Sequence, residues 1–159
     1  GALSVARSKV RIMSPYFLPD RELISAMVTA ARRGVEIDIY VPRSNNLRLV
    51  SLAMTAQFDQ VLKYGCRIWR VDGAFNHSKL MTIDGAWSYV GTSNLDPRSL
   101  RLNFEVDLEV LDWEFAGQIE AVIDTFATRA EQMTLESWRR RPFGLRLLEK
   151  LIWLGSPYL

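Results

Sequence analysis

The chain has one histidine and one cysteine in 159 residues, and both scarcities exclude classes of chemistry. The lone Cys66 cannot form a disulfide within the chain, which fits a reducing compartment. With so few soft ligands and no carboxylates at ligand spacing, the sequence predicts neither a metal site nor a cofactor. No apolar run approaches the roughly 20 residues that a membrane-spanning helix requires, so we expect the chain itself to be soluble.

The composition is that of an ordinary globular domain. Apolar residues make up 48% of the chain and charged residues 24%, and the formal charge of +2 identifies no partner by itself. Charge is unevenly distributed, because residues 105–124 are acidic and residues 139–150 are basic. We expect one domain over residues 1–134, followed by a C-terminal tail over residues 135–159.

The N-terminal part of the chain alternates strand and helix patterns. Asp20 is a typical N-cap and Gly34 a typical stop for a helix between two apolar strands. A strand, helix, strand unit implies a parallel pair of strands. The pattern therefore predicts an α/β fold with a mixed, largely parallel central sheet flanked by helices. Its expected elements are strands Lys9–Ser14, Val35–Val41 and Cys66–Val71 and helices following Asp20 and over Leu47–Lys63.

The C-terminal part adds a strand and two helices. Residues 103–111 alternate apolar and polar side chains, which predicts a strand with one polar face. A helix is expected from Trp113 to about Met133, with a buried stripe of Phe115, Ile119, Val122, Ile123 and Phe126. The tail would form a helix that is basic on one side and aliphatic on the other, packed either on the domain or on an anionic membrane surface.

The stretch from His77 to Glu105 collects the residues that can carry chemistry. Residues 77–83 are typical of a strand that stops at a hairpin turn, Asp84-Gly85. Since residues two apart on a strand share a face, His77 and Lys79 are predicted to project side by side. After the returning strand, the polar loop 91–94 can fold back beside them. Phe75, just before this segment, could line the entrance to the site or simply pack.

These residue types suit phosphate-ester chemistry. An imidazole can act near neutral pH as nucleophile or as general acid and base. A lysine ammonium, the Asn94 amide and nearby hydroxyls can hold anionic oxygens as charge builds in the transition state. Taken singly, His77 is more often structural, Lys79 a solvated strand charge and Asn94 a turn residue. The predicted site depends on their combination.

The spacing of these residues resembles the HKD motif, HxKxxxxDxxxxxxG(S/T)xN, of the phospholipase D superfamily. The matching positions are His77, Lys79, Asp84, Gly91, Thr92 and Asn94. Thr92 stands where that superfamily usually has serine, which keeps the hydroxyl. The continuation NLDPRSLRLNFEVDLEV and the opening SPYFLPDRELISAMVTAARRGVEIDIYVP are similar to the bacterial cardiolipin synthase branch. The resemblance covers nearly the whole chain, from about Ser8 to the C-terminus.

The resemblance implies roles for individual residues. His77, Lys79 and Asn94 would be catalytic, and Glu105 would fix the tautomer of His77, although on spacing alone Glu105 is a solvated strand charge. Thr92, Ser93 and Arg98 would contact the substrate, although Arg98 could equally tie down its loop. Asp84 and Gly91 would be structural. No metal or other cofactor is implied.

The resemblance also implies a partner, because two HKD motifs face one another in that superfamily. One histidine attacks phosphorus to give a phosphohistidine, and the other protonates the leaving alcohol. A chain with one histidine cannot do both, so we expect a fragment that pairs with an N-terminal HKD half or with a second copy of itself. The implied function is phosphatidyl transfer by the second catalytic half of a cardiolipin synthase, with His77 as general acid and base.

The implied substrate is phosphatidylglycerol or a related phospholipid, met peripherally at the cytoplasmic side of an anionic membrane. Two alternatives remain. A homodimeric single-motif phosphodiesterase or nuclease is the first, but no dense Lys/Arg track surrounds the motif, so nucleic acid is an unlikely partner on this pattern. The second is a non-catalytic membrane- or partner-binding module that retains the HKD shape.

Overall fold

A computed structural model of the chain describes residues 1–96, 99 and 102–155. The strands are β1 (Lys9–Met13), β2 (Glu36–Pro42), β3 (Arg67–Val71), β4 (Lys79–Ile83), β5 (Trp87–Gly91), β6 (Asp107–Leu111) and β7 (Ala130–Met133). The helices are α1 (Ala2–Val5), α2 (Arg21–Arg32), α3 (Arg48–Leu62), α4 (Trp113–Ala127), α5 (Leu135–Arg139) and α6 (Phe143–Leu154). Within the described residues, no helix combines the length and the apolar character needed to cross a bilayer.

The strands form one mixed sheet in the order β6-β5-β4-β1-β2-β3-β7. The strand, helix, strand units pair β1 with β2 and β2 with β3 in parallel. The other neighbours, β1–β4, β4–β5, β5–β6 and β3–β7, are antiparallel. The predicted α/β fold with a mixed, helix-flanked sheet is thus confirmed. The sheet is less parallel than predicted, because every strand after β3 joins it through an antiparallel pair.

Helices cover both faces of the sheet. On one face α2 and α3 bury Met27, Ala30, Phe58 and Val61 against the apolar side chains of β1, β2 and β3, and Trp138 of α5 joins this core. On the other face α4 contributes Ile123, which packs with residues of β1, β2 and β4. The predicted cap of α2 is present, since the Asp20 side chain accepts a hydrogen bond from the Leu23 amide.

Two predicted elements and one predicted core residue differ from the structure. Residues 103–106 are not a strand, and β6 begins only at Asp107, where pairing with Gly91 of β5 starts. The helix predicted to reach Met133 ends at Ala127, because residues 130–133 pair with β3 as the edge strand β7. Val122, predicted in its buried stripe, is 42% exposed. Periodicity within a segment cannot detect such pairing with a distant strand.

The tail forms two helices that contact the domain. Trp138 is buried, and its indole Nε1 donates to the carbonyl oxygen of Thr55 in α3 at 2.7 Å. Ile152 and Trp153 of α6 pack against the same core. Residues 156–159 lie outside the described part of the chain.

The carboxylate of Asp84 joins the β4–β5 hairpin to the start of β1. Its two oxygens accept hydrogen bonds from the backbone amides of Arg7, Ser8 and Lys9 at 2.8 to 2.9 Å and from the Ser8 hydroxyl. Partial desolvation favours a higher pKa for this carboxyl, but the hydrogen bonds outweigh it and hold the pKa at about 2. Asp84 has φ of +53°, a conformation that asparagine also adopts.

Replacing Asp84 with asparagine should remove this charge-assisted anchoring while keeping the turn. We expect Asp84→Asn to lower the free energy of unfolding by about 1–2 kcal/mol at neutral pH. Because the folded-state pKa lies below the ordinary 3.8, the wild-type advantage should be complete above about pH 4 and shrink as pH falls toward 2. Urea unfolding across this range measures it, with Asp59→Asn as the control. An advantage independent of pH would contradict the anchoring.

Candidate active site

The predicted site residues lie at the edge of the sheet where β1, β2 and β3 end and β4 begins. The prediction that a strand begins at His77 is wrong, because His77 lies in the loop that precedes β4. Lys79 is the first residue of β4. His77 is exposed, whereas Lys79 is only 6% exposed. Loops at the carboxyl ends of parallel strands are a common place for ligand sites in α/β sheets.

The Lys79 ammonium is held against the imidazole and backbone of His77. Its Nζ lies 2.7 Å from His77 Nδ1 and 3.3 Å from Nε2, and it donates to the His77 carbonyl oxygen at 2.9 Å. Because an ammonium can only donate, the nearer ring nitrogen must accept, and a neutral ring then carries its proton on Nε2. Desolvation, followed by the Lys79 charge, lowers the pKa of His77.

Two aromatic rings flank the imidazole. Tyr16 meets it edge to face with ring centroids 5.7 Å apart, and Phe75 lies 5.8 Å away. The Tyr16 hydroxyl donates to Asn46 Oδ1 at 2.8 Å, which joins the loops after β1 and β2. Phe75 therefore contacts the candidate histidine, which fits both interpretations of it, an entrance residue or simple packing. Sequence reasoning missed Tyr16 and Asn46, although both follow the ends of parallel strands.

The loop after β5 starts beside Lys79, because Lys79 pairs with Gly91. A Cβ on Gly91 would lie 2.0 Å from Asp107 Oδ1, so glycine is needed for this close approach. The Asp107 carboxylate accepts hydrogen bonds from the amide and hydroxyl of Ser93 and from the Tyr89 hydroxyl. Desolvation favours a higher pKa for Asp107, but these hydrogen bonds outweigh it and lower the pKa. Asp107, absent from the predicted site, supports the loop.

Asn94 is held by its backbone while its side chain keeps a spare acceptor. Its amide donates to Ser99 Oγ at 2.8 Å, and Oδ1 is buried with no hydrogen-bond partner among the described residues. The next residue, Leu95, bridges to Phe17, so the loop is tied to the segment after β1. Because Oδ1 can only accept, contact with a phosphoryl oxygen would have to come from the Nδ2 donor of the same carboxamide.

Glu105 does not take the position predicted for it. Its Oε1 accepts from Ser99 Oγ at 2.6 Å and from Asn103 Nδ2 at 3.2 Å, and no hydrogen bond joins it to His77 within the described residues. The bond from Ser99, followed by one from Thr92, lowers the pKa of Glu105. Residues 103–106 lie outside the sheet, so Glu105 is not in the strand position from which it was predicted to reach the imidazole. The negative charge of Glu105 acts instead on Lys79. Burial lowers the pKa of Lys79, and the charge of Glu105 opposes that shift.

The remaining predicted residues divide between the loop and the undescribed part of the chain. Thr92 is exposed, and its Oγ1 accepts from the Val106 amide at 2.9 Å, which ties the loop to the segment before β6. Ser93 is 3% exposed and faces Asp107. Arg98 lies outside the described residues. The structure thus brings His77 to Lys79 and places the loop 92–94 beside Lys79.

Comparison with known proteins gives sequence relatives. Residues 1–126 match the family model described as "Cardiolipin synthase, PLD-like domain". Cardiolipin synthase A of Proteus mirabilis is 40% identical over 158 residues, which are 99% of this chain and 32% of that protein. The chain thus spans about a third of the length of the curated relatives it matches.

Solved structures with the same fold are more distant in sequence. The phospholipase D family member Nuc of Salmonella typhimurium superposes with a TM-score of 0.73 at 18% identity, over 84% of this chain and 86% of that one. Phosphatidylserine synthase of Haemophilus influenzae gives 0.77 at 18% identity, over 99% of this chain and 43% of that one.

The contact between Lys79 and His77 predicts how the imidazole titrates. Because His77 is the only histidine, its NMR signals are unambiguous. We expect its pKa below the ordinary 6.5, and a higher pKa in Lys79→Gln, which removes the neighbouring positive charge. Lys63→Gln, just after the last residue of α3, is the matched control and should leave the titration unchanged. An unchanged or lower pKa in Lys79→Gln would show that the ammonium does not act on the ring.

Proposed function

This chain belongs to the family of phospholipase D-like domains of cardiolipin synthases, and from that premise we propose that it is the second catalytic half of a phosphatidyltransferase. The observation that carries the proposal is the Lys79 ammonium held against the His77 imidazole, with the loop that ends in Asn94 beginning at its side. An imidazole, an ammonium and a carboxamide can together bind and activate a phosphodiester.

Substrate binding would prepare His77 for acid catalysis. In the described geometry desolvation and then the Lys79 ammonium oppose a second proton on the ring, which lowers the pKa of His77. A phosphodiester anion offers Lys79 a stronger acceptor than the ring nitrogen, and its negative charge raises the pKa of the imidazole. Lys79 then holds a phosphoryl oxygen, and His77 can carry both protons.

The reaction needs a second imidazole, which the other half supplies. That imidazole attacks phosphorus, the nitrogen–phosphorus bond forms, and the ester bond to the leaving glycerol alcohol breaks. His77 gives its proton to the leaving oxygen and becomes neutral. An incoming lipid alcohol then gives its proton to His77 and attacks the phosphohistidine, which restores the nucleophile. Water in place of the alcohol would give hydrolysis.

An exposed apolar surface marks where the second half would dock. We call it the β6 surface, and it consists of Leu102, Phe104, Val106, Leu108, Leu111 and Trp113, all more than half exposed. β6 is an edge strand of the sheet, and Val106 is bonded to Thr92 of the site loop. Leu108 and Leu111, three residues apart on β6, face opposite sides of the sheet, so the exposed apolar side chains surround this unpaired edge, and such an edge is a template for pairing with another chain. A partner here would lie beside the site loop and one strand, β5, away from β4, which carries Lys79.

A phospholipid fits the surroundings of the site better than a nucleic-acid strand. Arg43, which follows β2 at the same edge, is paired with both Asp72 and Glu131. Its charge is therefore compensated within the domain and adds little to a track for a polyanion. The substrate we propose is an anionic phospholipid such as phosphatidylglycerol, reached at a membrane surface.

Reconstitution tests the proposal. Phosphatidylglycerol vesicles are incubated with this chain, with a separately produced N-terminal half, and with both, and the lipids are identified by mass spectrometry. We expect cardiolipin only from the mixture, and a loss of about 10²- to 10⁴-fold with His77→Asn. Arg21→Gln, on the exposed start of α2, is the control and should retain full activity.

Two other outcomes would replace the proposal. If the chain alone hydrolyses a small phosphodiester and sediments as a dimer, it is a homodimeric phosphodiesterase. If His77→Asn leaves the activity of the mixture unchanged, the chain is a non-catalytic binding module.

A further inference from the structure

Helix α6 presents its apolar side chains to solvent. Phe143 is 73% exposed, Leu147 and Leu148 are each 48%, Leu151 is 57% and Leu154 is 69%. These five residues, which we call the α6 surface, recur at helical spacing and form one outward face. A helix that only completes a domain normally turns this face to the core.

The opposite side of α6 carries a buried charge. Glu149 is 2% exposed, and its Oε1 accepts from Arg141 Nη1 at 2.6 Å. Ile152 and Trp153 on this side pack against the core beneath α3. The helix thus buries an ion pair and exposes leucines. Core packing does not explain that arrangement, because burial of the leucines would be the more favourable choice.

Cations border the α6 surface. Lys150 of α6 and Lys63 at the end of α3 line one groove together with Leu147, Leu151 and Leu154. Arg139 and Arg146 line the adjoining groove with Phe143. Asp59 of α3 is the acidic residue that lines both grooves. Positive charge therefore predominates around the exposed apolar residues.

The β6 surface is bordered by negative charge, whereas the α6 surface is bordered by positive charge. The two apolar surfaces are therefore expected to bind different partners. Glu109, Asp112 and Glu114 are exposed along it, so an anionic membrane would be repelled there. The α6 surface lies on the face of the sheet covered by α2 and α3, beyond the core that contains Trp153. Charge complementarity favours a protein partner at β6 and an anionic surface at α6.

We propose that the α6 surface docks on an anionic lipid bilayer. Its leucines and Phe143 would enter the boundary between headgroups and acyl chains, while Lys63, Lys150 and Arg139 meet lipid phosphates. Interfacial helices bind through this combination of apolar burial and electrostatic attraction. Docking requires no catalysis, so it can hold whether or not the proposed function does.

Vesicle flotation of the full chain tests the docking. The probes are vesicles of phosphatidylcholine alone, with phosphatidylglycerol, and with phosphatidylserine. We expect flotation with both anionic compositions, little with phosphatidylcholine alone, and weakening by salt. Leu147→Ser with Leu151→Ser should lower partitioning by about tenfold or more. Lys63→Gln with Lys150→Gln should lower it by about fivefold per charge.

A matched variant on the other surface serves as control. Leu108→Ser with Leu111→Ser removes the same residue types from the β6 surface and should float as the unaltered chain does. The His77 NMR signal verifies folding of the leucine and lysine variants. Circular dichroism verifies folding of His77→Asn, which should float normally. Failure of catalysis with normal flotation would then overturn the proposed function alone.

Three results would overturn docking. The first is equal binding to neutral and anionic vesicles, and the second is unchanged flotation of the leucine variant. The third is a lower sedimentation mass of the leucine variant than of the unaltered chain. The last would show that the α6 surface joins two protein molecules instead of meeting lipid.

Discussion

A single ammonium group, that of Lys79, contacts the imidazole on which the proposed chemistry depends and adds to desolvation in lowering its pKa. Burying this charge is costly, and the pKa of Lys79 is lowered accordingly, while the carboxylates of Glu105 and Asp96 oppose that shift. The ammonium uses its protons on the carbonyl and ring of His77. It can be drawn away only by a better acceptor, and a phosphodiester oxygen is one. When Lys79 binds the phosphodiester oxygen, it therefore also allows the His77 ring to take up its second proton.

Two carboxylates hold the β4–β5 hairpin that carries the motif residues, one at its turn and one at the far end of β5. Asp84 joins the turn to the backbone before β1, and Asp107 holds Ser93 at the far end of β5. Between them the pairing of Lys79 with Gly91 fixes where the loop begins. The intervals between the motif residues follow from the lengths of β4 and β5, so an insertion in either strand would shift the loop 92–94 relative to Lys79.

Much of the fold could be predicted because its signals are local. The cap at Asp20, the turn at Asp84 and the alternation of strands with helices each depend on neighbouring residues. Contacts between distant segments were missed: β7 is a strand because β3 lies beside it, and Glu105 bonds Ser99 because residues 103–106 leave the sheet. Asp107 carries no pattern that marks it, since its importance comes from its contact with the loop after Gly91, and Tyr16 is marked only by its place after the parallel strand β1. The exposure of the leucines in α6 likewise depends on which face α3 leaves uncovered.

The tautomer of His77 tests this account most directly, and ¹⁵N NMR of the imidazole measures it. If the Lys79 ammonium donates to the ring, the neutral form should show an unprotonated Nδ1 and a protonated Nε2. Addition of a phosphate analogue such as vanadate should then raise the pKa of the ring as Lys79 transfers to the anion. A neutral ring protonated at Nδ1, the form that an orienting carboxylate would stabilise, would contradict the account.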